Sequence, residues 1–294
     1  MIRPVMRPLS RPFLLLVLAA ALATVAAGCG SSSSDSSDST GTVAAADCTP
    51  DKLQTITAGQ LTVATDKPAY PPYFEDNDPT NGKGFESATA YAIADQLGYS
   101  RSEVEWVTEP FNSSYAPGPK DFDFDVNQIS ITPARSEHVD FSAPYYTANQ
   151  AVVASKGSSA AEATSLADLQ DAAIGVQIGS TSLDAVNSEI QPSSDPKVFN
   201  DSNDVVTALK EGQVDAVVVD LPTALYLTAA QVPSATIVGQ FSAPGGDKWG
   251  ALLAKDSPLT ACVSKAVAEL RSSGELGQIE NRWMSQAANA PTLN

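Results

Sequence analysis

From Leu61 onward, short β-branched runs alternate with stretches in which apolar residues recur every three or four positions. Leu61 to Thr65 reads as a strand that stops at Asp66, and a loop rich in Pro and Tyr follows through Phe74. Ser87 is placed to cap a helix running to Leu97, with Gly98 as its stop. Strands are predicted at Val104 to Val107 and from Val126 to Ile131. Such strand–helix–strand grammar calls for a mainly parallel sheet with helices on its faces.

The pattern restarts near Ala151 to Ala154. Ser165 is placed to cap a short helix around Leu166 and Leu169, and Ala173 to Gln177 reads as a strand. Gly179-Ser180-Thr181 turns into a helix carrying Leu183, Val186 and Ile190. Asp204 opens a helix from Val205 to Glu211, ended by Gly212. Val214 to Val219 is an apolar strand with Asp220 at its carboxyl end, and Pro222 suits the first turn of the next helix. Helical spacing from Leu259 to Leu270, and again toward Trp283, closes the chain. The expected architecture is an α/β fold of two lobes joined by two crossings, each lobe a mainly parallel sheet flanked by helices. Residues 48–152 and 248–290 form the first lobe and 153–247 the second. A ligand should sit where the carboxyl ends of strands meet at the hinge.

The first residues have a different task. Arg3, Arg7 and Arg11 precede an apolar run from Phe13 to Ala23 that is short for a membrane span, the layout of an export signal over residues 1–28. The small residues ending in Gly28-Cys29 resemble the lipobox of bacterial lipoproteins, which implies lipidation of Cys29; an ordinary cleaved signal is the alternative. Residues 29–47, mostly Ser and Asp at first, read as a solvated tether between a membrane anchor and the folded part. Both readings place the protein outside the cytoplasm.

Charge and composition narrow the choices. Lys and Arg total 17 against 34 Asp and Glu, a net charge of −17, so a phosphate backbone would be repelled over most of the surface and nucleic acid is a poor partner. Removing residues 1–28 takes away three arginines and no acid, which also excludes polybasic attachment to anionic lipid. One His and three Cys leave no material for a His-rich metal centre or paired zinc clips, and no nucleotide-binding glycine loop is present, so no cofactor is expected. With Cys29 assigned to lipid, Cys48 and Cys262 form an even pair in an oxidising compartment. A disulfide is the favoured reading, with two buried free thiols as the alternative.

Several motifs then fall into one series. Thr65-Asp66 with Tyr70-Pro71-Pro72-Tyr73, Gly84-Phe85-Glu86 before a helix, Ser130-Ile131-Thr132-Pro133-Ala134-Arg135, and Asp140-Phe141-Ser142-Ala143-Pro144-Tyr145 resemble the first lobe of the family-three bacterial extracellular solute-binding proteins. Gly175-Val176-Gln177-Ile178-Gly179-Ser180-Thr181 and Gly212-Gln213-Val214-Asp215-Ala216 continue the likeness. The resemblance implies a receptor for a polar amino acid, monomeric, serving the permease of an ABC importer.

The chemistry of a zwitterion says what such a receptor must supply, because desolvating either charged end without a partner costs several kcal/mol. Arg135, with a planar fork matched to a carboxylate, is the expected clamp, and the family resemblance implies the same role; pairing with Glu137 or Asp140 is the alternative. Ser130 adds donors. Ser180 and Thr181 would close over the carboxylate from the second lobe, where a helix begins. Asp220 is expected to meet the ammonium group, or else to cap the Pro222 helix. Tyr70 and Phe111 are candidates to flank the ligand side chain, with Asp66 and Gln128 as polar contacts; Asp66 leans the choice toward a polar or cationic side chain. Two further readings compete: an enzyme like the periplasmic cyclohexadienyl dehydratases, which would need a cleft acid facing a substrate ring, and a module that presents bound ligand to a sensor.

Overall fold

The structure is a computed structural model that describes residues 47–243, 245–284 and 290–294. The expected export signal, Cys29 and nearly all of the tether lie outside the described residues. The strands are β1 (Leu61–Thr65), β2 (Val104–Thr108), β3 (Phe124–Asp125), β4 (Val139–Ala148), β5 (Gln150–Ser155), β6 (Ile174–Gln177), β7 (Lys197–Phe199), β8 (Ala216–Asp220), β9 (Ala235–Phe241) and β10 (Asp247–Ala254). The helices are α1 (Phe85–Gln96), α2 (Phe111–Ser114), α3 (Pro133–Ser136), α4 (Thr181–Ala185), α5 (Ser202–Lys210), α6 (Leu221–Tyr226), α7 (Thr260–Ser273) and α8 (Glu275–Met284). Two five-stranded sheets result, in the orders β2-β1-β3-β10-β4 and β7-β6-β8-β5-β9.

Both sheets are mixed rather than mainly parallel. In each, the first three strands pair in parallel through helical or looped crossovers, whereas the last two pairings are antiparallel. The cause lies in the crossings. A single residue, Asn149, separates β4 from β5, and only residues 242–246 separate β9 from β10, so strands consecutive in the chain lie in different sheets. Asp247 pairs with Ala148 on one side and Gln150 with Phe241 on the other, which sets the two crossings next to each other. Gln150 to Val152 therefore belong to the second sheet and Asp247 to the first. Residues 290–294 lie against the second sheet, where Thr292 bridges Gln240.

Three local expectations change for identifiable reasons. Helix α1 begins at Phe85 after Gly84, whose φ of +100° brings the backbone so close to Tyr73 that a Cβ there would lie 2.3 Å from its carbonyl oxygen. Ser87 is buried in the first turn and donates to Pro79 O, so it caps nothing. Helix α5 is capped by Asp201 rather than Asp204, with Oδ1 accepting from the N–H groups of Asn203 and Asp204. The strand expected from Val126 to Ile131 is instead the two-residue β3, followed by an irregular segment in which Gln128 takes a φ of +50° and its N–H turns to Glu86.

Apolar packing differs between the lobes. The first is rich in rings, with Trp249 wholly buried among Tyr73, Tyr145 and Tyr146. Its amino-terminal end is tied to α7 by a Cys48–Cys262 disulfide. The second is built mainly from Val, Ala, Leu and Ile on both faces of its sheet. Among the described residues no helix is long and apolar enough to cross a membrane.

Candidate functional site

A cavity of about 400 Å³ opens between the lobes, near the small end of ligand clefts, which span about 300–1,000 Å³. Of the residues expected to touch ligand, Asp66, Tyr70, Phe111, Gln128, Ser130, Ser180, Thr181 and Asp220 line it. Asp66, Tyr70, Gln128 and Ser130 come from loops that follow β1 and β3, Phe111 opens α2 after β2, and the last three come from the carboxyl ends of β6 and β8, where these strands give way to helices.

Asp220 ends β8, and α6 starts immediately with Leu221 and Pro222. Its side chain makes no capping bond; Oδ1 accepts from Gln150 Nε2 at 2.7 Å instead. Burial pushes this carboxyl well above the usual range, and the neighbouring Asp247 pushes it further. No ion pair to Lys, Arg or His forms at Asp220 among the described residues.

Arg135 is placed differently from expectation. It is only 7% exposed, and its guanidinium donates to Ser130 O at 2.8 Å and to Gly179 O, in the second lobe, at 2.9 Å. The rings of Phe111 and Tyr115 lie 5.4 and 4.5 Å from its guanidinium carbon. It faces the gap between the lobes but lines a second cavity of about 310 Å³, behind Ser130, rather than the larger one. Thr181 borders both. The alternative pairing is not formed, since Asp140 binds Lys255 at 3.2 Å and Glu137 is exposed.

The remaining wall is polar at one end and aromatic at the other. Ser130 and Thr181 hydroxyls meet at 3.2 Å across the cleft, while Ser180 caps α4 by accepting from Leu183 N–H. Tyr70 stacks on Tyr226 from the second lobe, with centroids 6.0 Å apart and planes 8° from parallel; burial raises its phenol to about 12. Tyr73 and Thr223 add a further interlobe hydrogen bond at 2.8 Å. Asp66 accepts from the N–H groups of Lys67 and Phe111, and burial together with Asp201 opposite raises its carboxyl. Gln128 touches the cavity, but its amide is held by Glu86, a wholly buried carboxylate that burial pushes up to about 7.

Sequence reading missed Gln150, Ser182 and Asp247, which stand behind Asp220. A glutamine in an apolar strand and an aspartate after two glycines carry no pattern of their own, because the antiparallel crossings bring them together.

A cleft between two α/β lobes, with strand-end polar groups on both walls and a carboxyl that has no cation partner among the described residues, defines a two-lobed binding protein. Residues 61–286 match the bacterial extracellular solute-binding proteins, family 3, and the chain belongs to that family. It is 31% identical over 218 residues to the arginine-binding extracellular protein ArtP of Bacillus subtilis, covering 72% of this chain and 82% of that one. An ancestral arginine-binding protein solved with glutamine bound superposes with a TM-score of 0.65 at 32% identity, over 78% of this chain and 99% of the other. The structure described as the same kind of ancestral protein bound to arginine gives 0.63 at 33% identity, over 77% and 98%.

Proposed function

We propose that the protein captures a polar amino acid between its lobes, a cationic one such as arginine by preference, and hands it to the permease of an ABC importer. The observation that carries this is a separation of two ionisable groups that lack a partner of opposite charge. Arg135, buried, bonds to carbonyl oxygens and to no carboxylate, and Asp220 has no cation among the described residues. An α-amino acid supplies both missing partners. Its carboxylate lies against Ser130, Ser180 and Thr181, with Arg135 exchanging a carbonyl bond to reach it, and its ammonium lies against Asp220. The acids Asp66 and Asp201 at the far end favour a positive side chain, and the relatives named for arginine agree. Because the partners come from both lobes, ligand binding favours the closed arrangement.

The same reading makes residues 1–28 the export signal and lipidated Cys29 the anchor of a monomer working at the outer face of the cell membrane. A thermal-shift screen against the common amino acids tests the ligand class, since a ligand bound only by the folded form raises the melting temperature. Arginine and lysine should shift it most. No shift with any amino acid, or consumption of prephenate or arogenate, would sink the receptor reading.

A further inference from the structure

Behind Asp220 the two crossings are joined by polar side chains. Gln150, wholly buried on β5, donates through Nε2 to Asp220 Oδ1 at 2.7 Å and to Asp247 Oδ2 at 2.6 Å. Its Oε1 accepts from Ser182 Oγ at 2.6 Å, which fixes the amide with its nitrogen toward the acids. Asp247, 2% exposed on β10, also accepts from Thr181 Oγ1 at 2.9 Å, and its buried Oδ1 has no hydrogen-bond partner among the described residues. Two carboxyl groups thus share one buried amide nitrogen, Asp247 fully enclosed and Asp220 partly exposed at the cavity wall. Both cannot be ionised there without a large cost, so one keeps a proton until a cation takes its place.

We propose that Asp220, Gln150 and Asp247 act as one carboxyl–amide–carboxyl unit across both hinge crossings, with Asp247 a positioning residue that keeps a proton on the unit until the ligand's ammonium reaches Asp220. The inference rests on Asp220 as the ammonium's partner. In the exchange one carboxyl O–H bond breaks, the proton passes to the solvent, and the carboxylate left behind pairs with the ammonium. Capture at Asp220 is thereby felt on β5 through Gln150 and on β10 through Asp247, and passes on through Thr181 to Ser130 in the first lobe. The ionisable groups near enough to act electrostatically on Asp220, or to feel its charge, are Asp247 from β10, Glu86 from α1, Arg135 from α3, Tyr70 and Tyr73 from the loop after β1, and Tyr146 from β4. Burial, Asp247 and Glu86 favour its protonated form, whereas Gln150 and Arg135 oppose it.

Calorimetry of L-arginine binding to the full chain, in two buffers of different ionisation heat, counts the protons released. Near pH 7 the parent should release up to about one proton per ligand, and its affinity should rise with pH. Asp247→Asn keeps the shape and an acceptor for Gln150 while removing a charge, so release should be roughly halved or less and the affinity profile should move to lower pH. Gln150→Leu removes a donor that favours the ionised form, and should move the profile to higher pH. Loss of packing alone would weaken binding in both variants without shifting the profiles in opposite directions. If one variant does not fold, the direction of the other decides. A parent that binds arginine without releasing protons, or variant profiles that coincide with the parent's, overturns the unit. Asp220→Asn binding arginine like the parent, or a parent that binds no arginine, overturns the ammonium reading and this inference with it. Lost binding in Asp220→Asn with unchanged proton release in Asp247→Asn overturns this inference alone.

Discussion

The two lobes repeat one strand order, with β1, β2, β3, β10 and β4 of the first matching β6, β7, β8, β5 and β9 of the second. The third strand of each ends in an aspartate, Asp125 on β3 and Asp220 on β8, yet the two meet opposite fates. Asp125 is fully buried, takes a hydrogen bond from Ser114 Oγ and leaves its other oxygen without a partner among the described residues. Asp220 reaches the cavity because Leu221-Pro222 turns the chain straight into α6. Equal topology therefore does not give equal chemistry; the few residues after the strand decide whether a strand-end acid is hidden or offered to ligand.

The largest contrast should be in stability, since only the first lobe carries a disulfide. Replacing Cys48 and Cys262 by Ser opens a loop with a sequence separation of 214, and the loop-closure argument puts the loss at up to about 5 kcal/mol. Trp106, Trp249 and Trp283 all belong to the first lobe's core, so tryptophan fluorescence reports that lobe alone. In the double variant it should melt well before the far-ultraviolet signal is lost. Coincident transitions would mean that the lobes unfold as one unit.

Exchanging each strand-end acid for its amide tests the comparison directly. Asp220→Asn should cost about 2–5 kcal/mol of arginine binding, the range for removing one partner of a buried charge pair, and calorimetry measures it. Asp125→Asn should leave arginine binding unchanged while altering how stability depends on pH. Burial pushes Asp125 up to about 8, and Glu86 to about 7 for the same reason. The folded state then holds protons that the unfolded chain has lost, so these groups make stability fall as pH rises from about 4 to about 8. Melting temperatures across that window should fall less steeply in Asp125→Asn than in the parent. An equal slope would show that Asp125 ionises freely.

Much of this was readable in the amino-acid order where local signals dominate. The apolar run ending at Asp220 before Leu-Pro, the Gly-Ser-Thr turn at 179–181 and the strand before Asp66 carry propensity and punctuation of their own. What escaped depends on long-range pairing. Strands β4 and β10 mix Pro, Gly and polar residues that only their mutual antiparallel ladder makes regular, and β3 is cut short by a contact between Gln128 and Glu86, 42 residues apart. Within the site, the position of Arg135 hangs on Gly179 O, which belongs to the other lobe. Side-chain aim of that kind is decided by tertiary packing rather than by residue spacing.

The edges of the two sheets offer the smallest and most local test. At the first, β4 is covered by α7, with Ser264 Oγ accepting from Ala143 N–H at 3.0 Å. At the second, the matching β9 is covered by the chain's last residues: Gln240 N–H donates to Pro291 O at 2.7 Å, Leu293 N–H returns to Gln240 O at 2.8 Å, and Leu293 is 4% exposed. Gly239 makes room for it, since a Cβ there would lie 2.6 Å from Leu293 Cγ. Leu293→Ala, or Gly239→Ala, which displaces the same side chain, should lower the second lobe's stability by about 2 kcal/mol, the low end for a buried leucine because it packs at a sheet edge. The tryptophan signal of the first lobe and arginine affinity should both hold. If either variant instead weakened arginine binding tenfold, the tail would be part of the closing movement, and the two covered edges would no longer be equivalent.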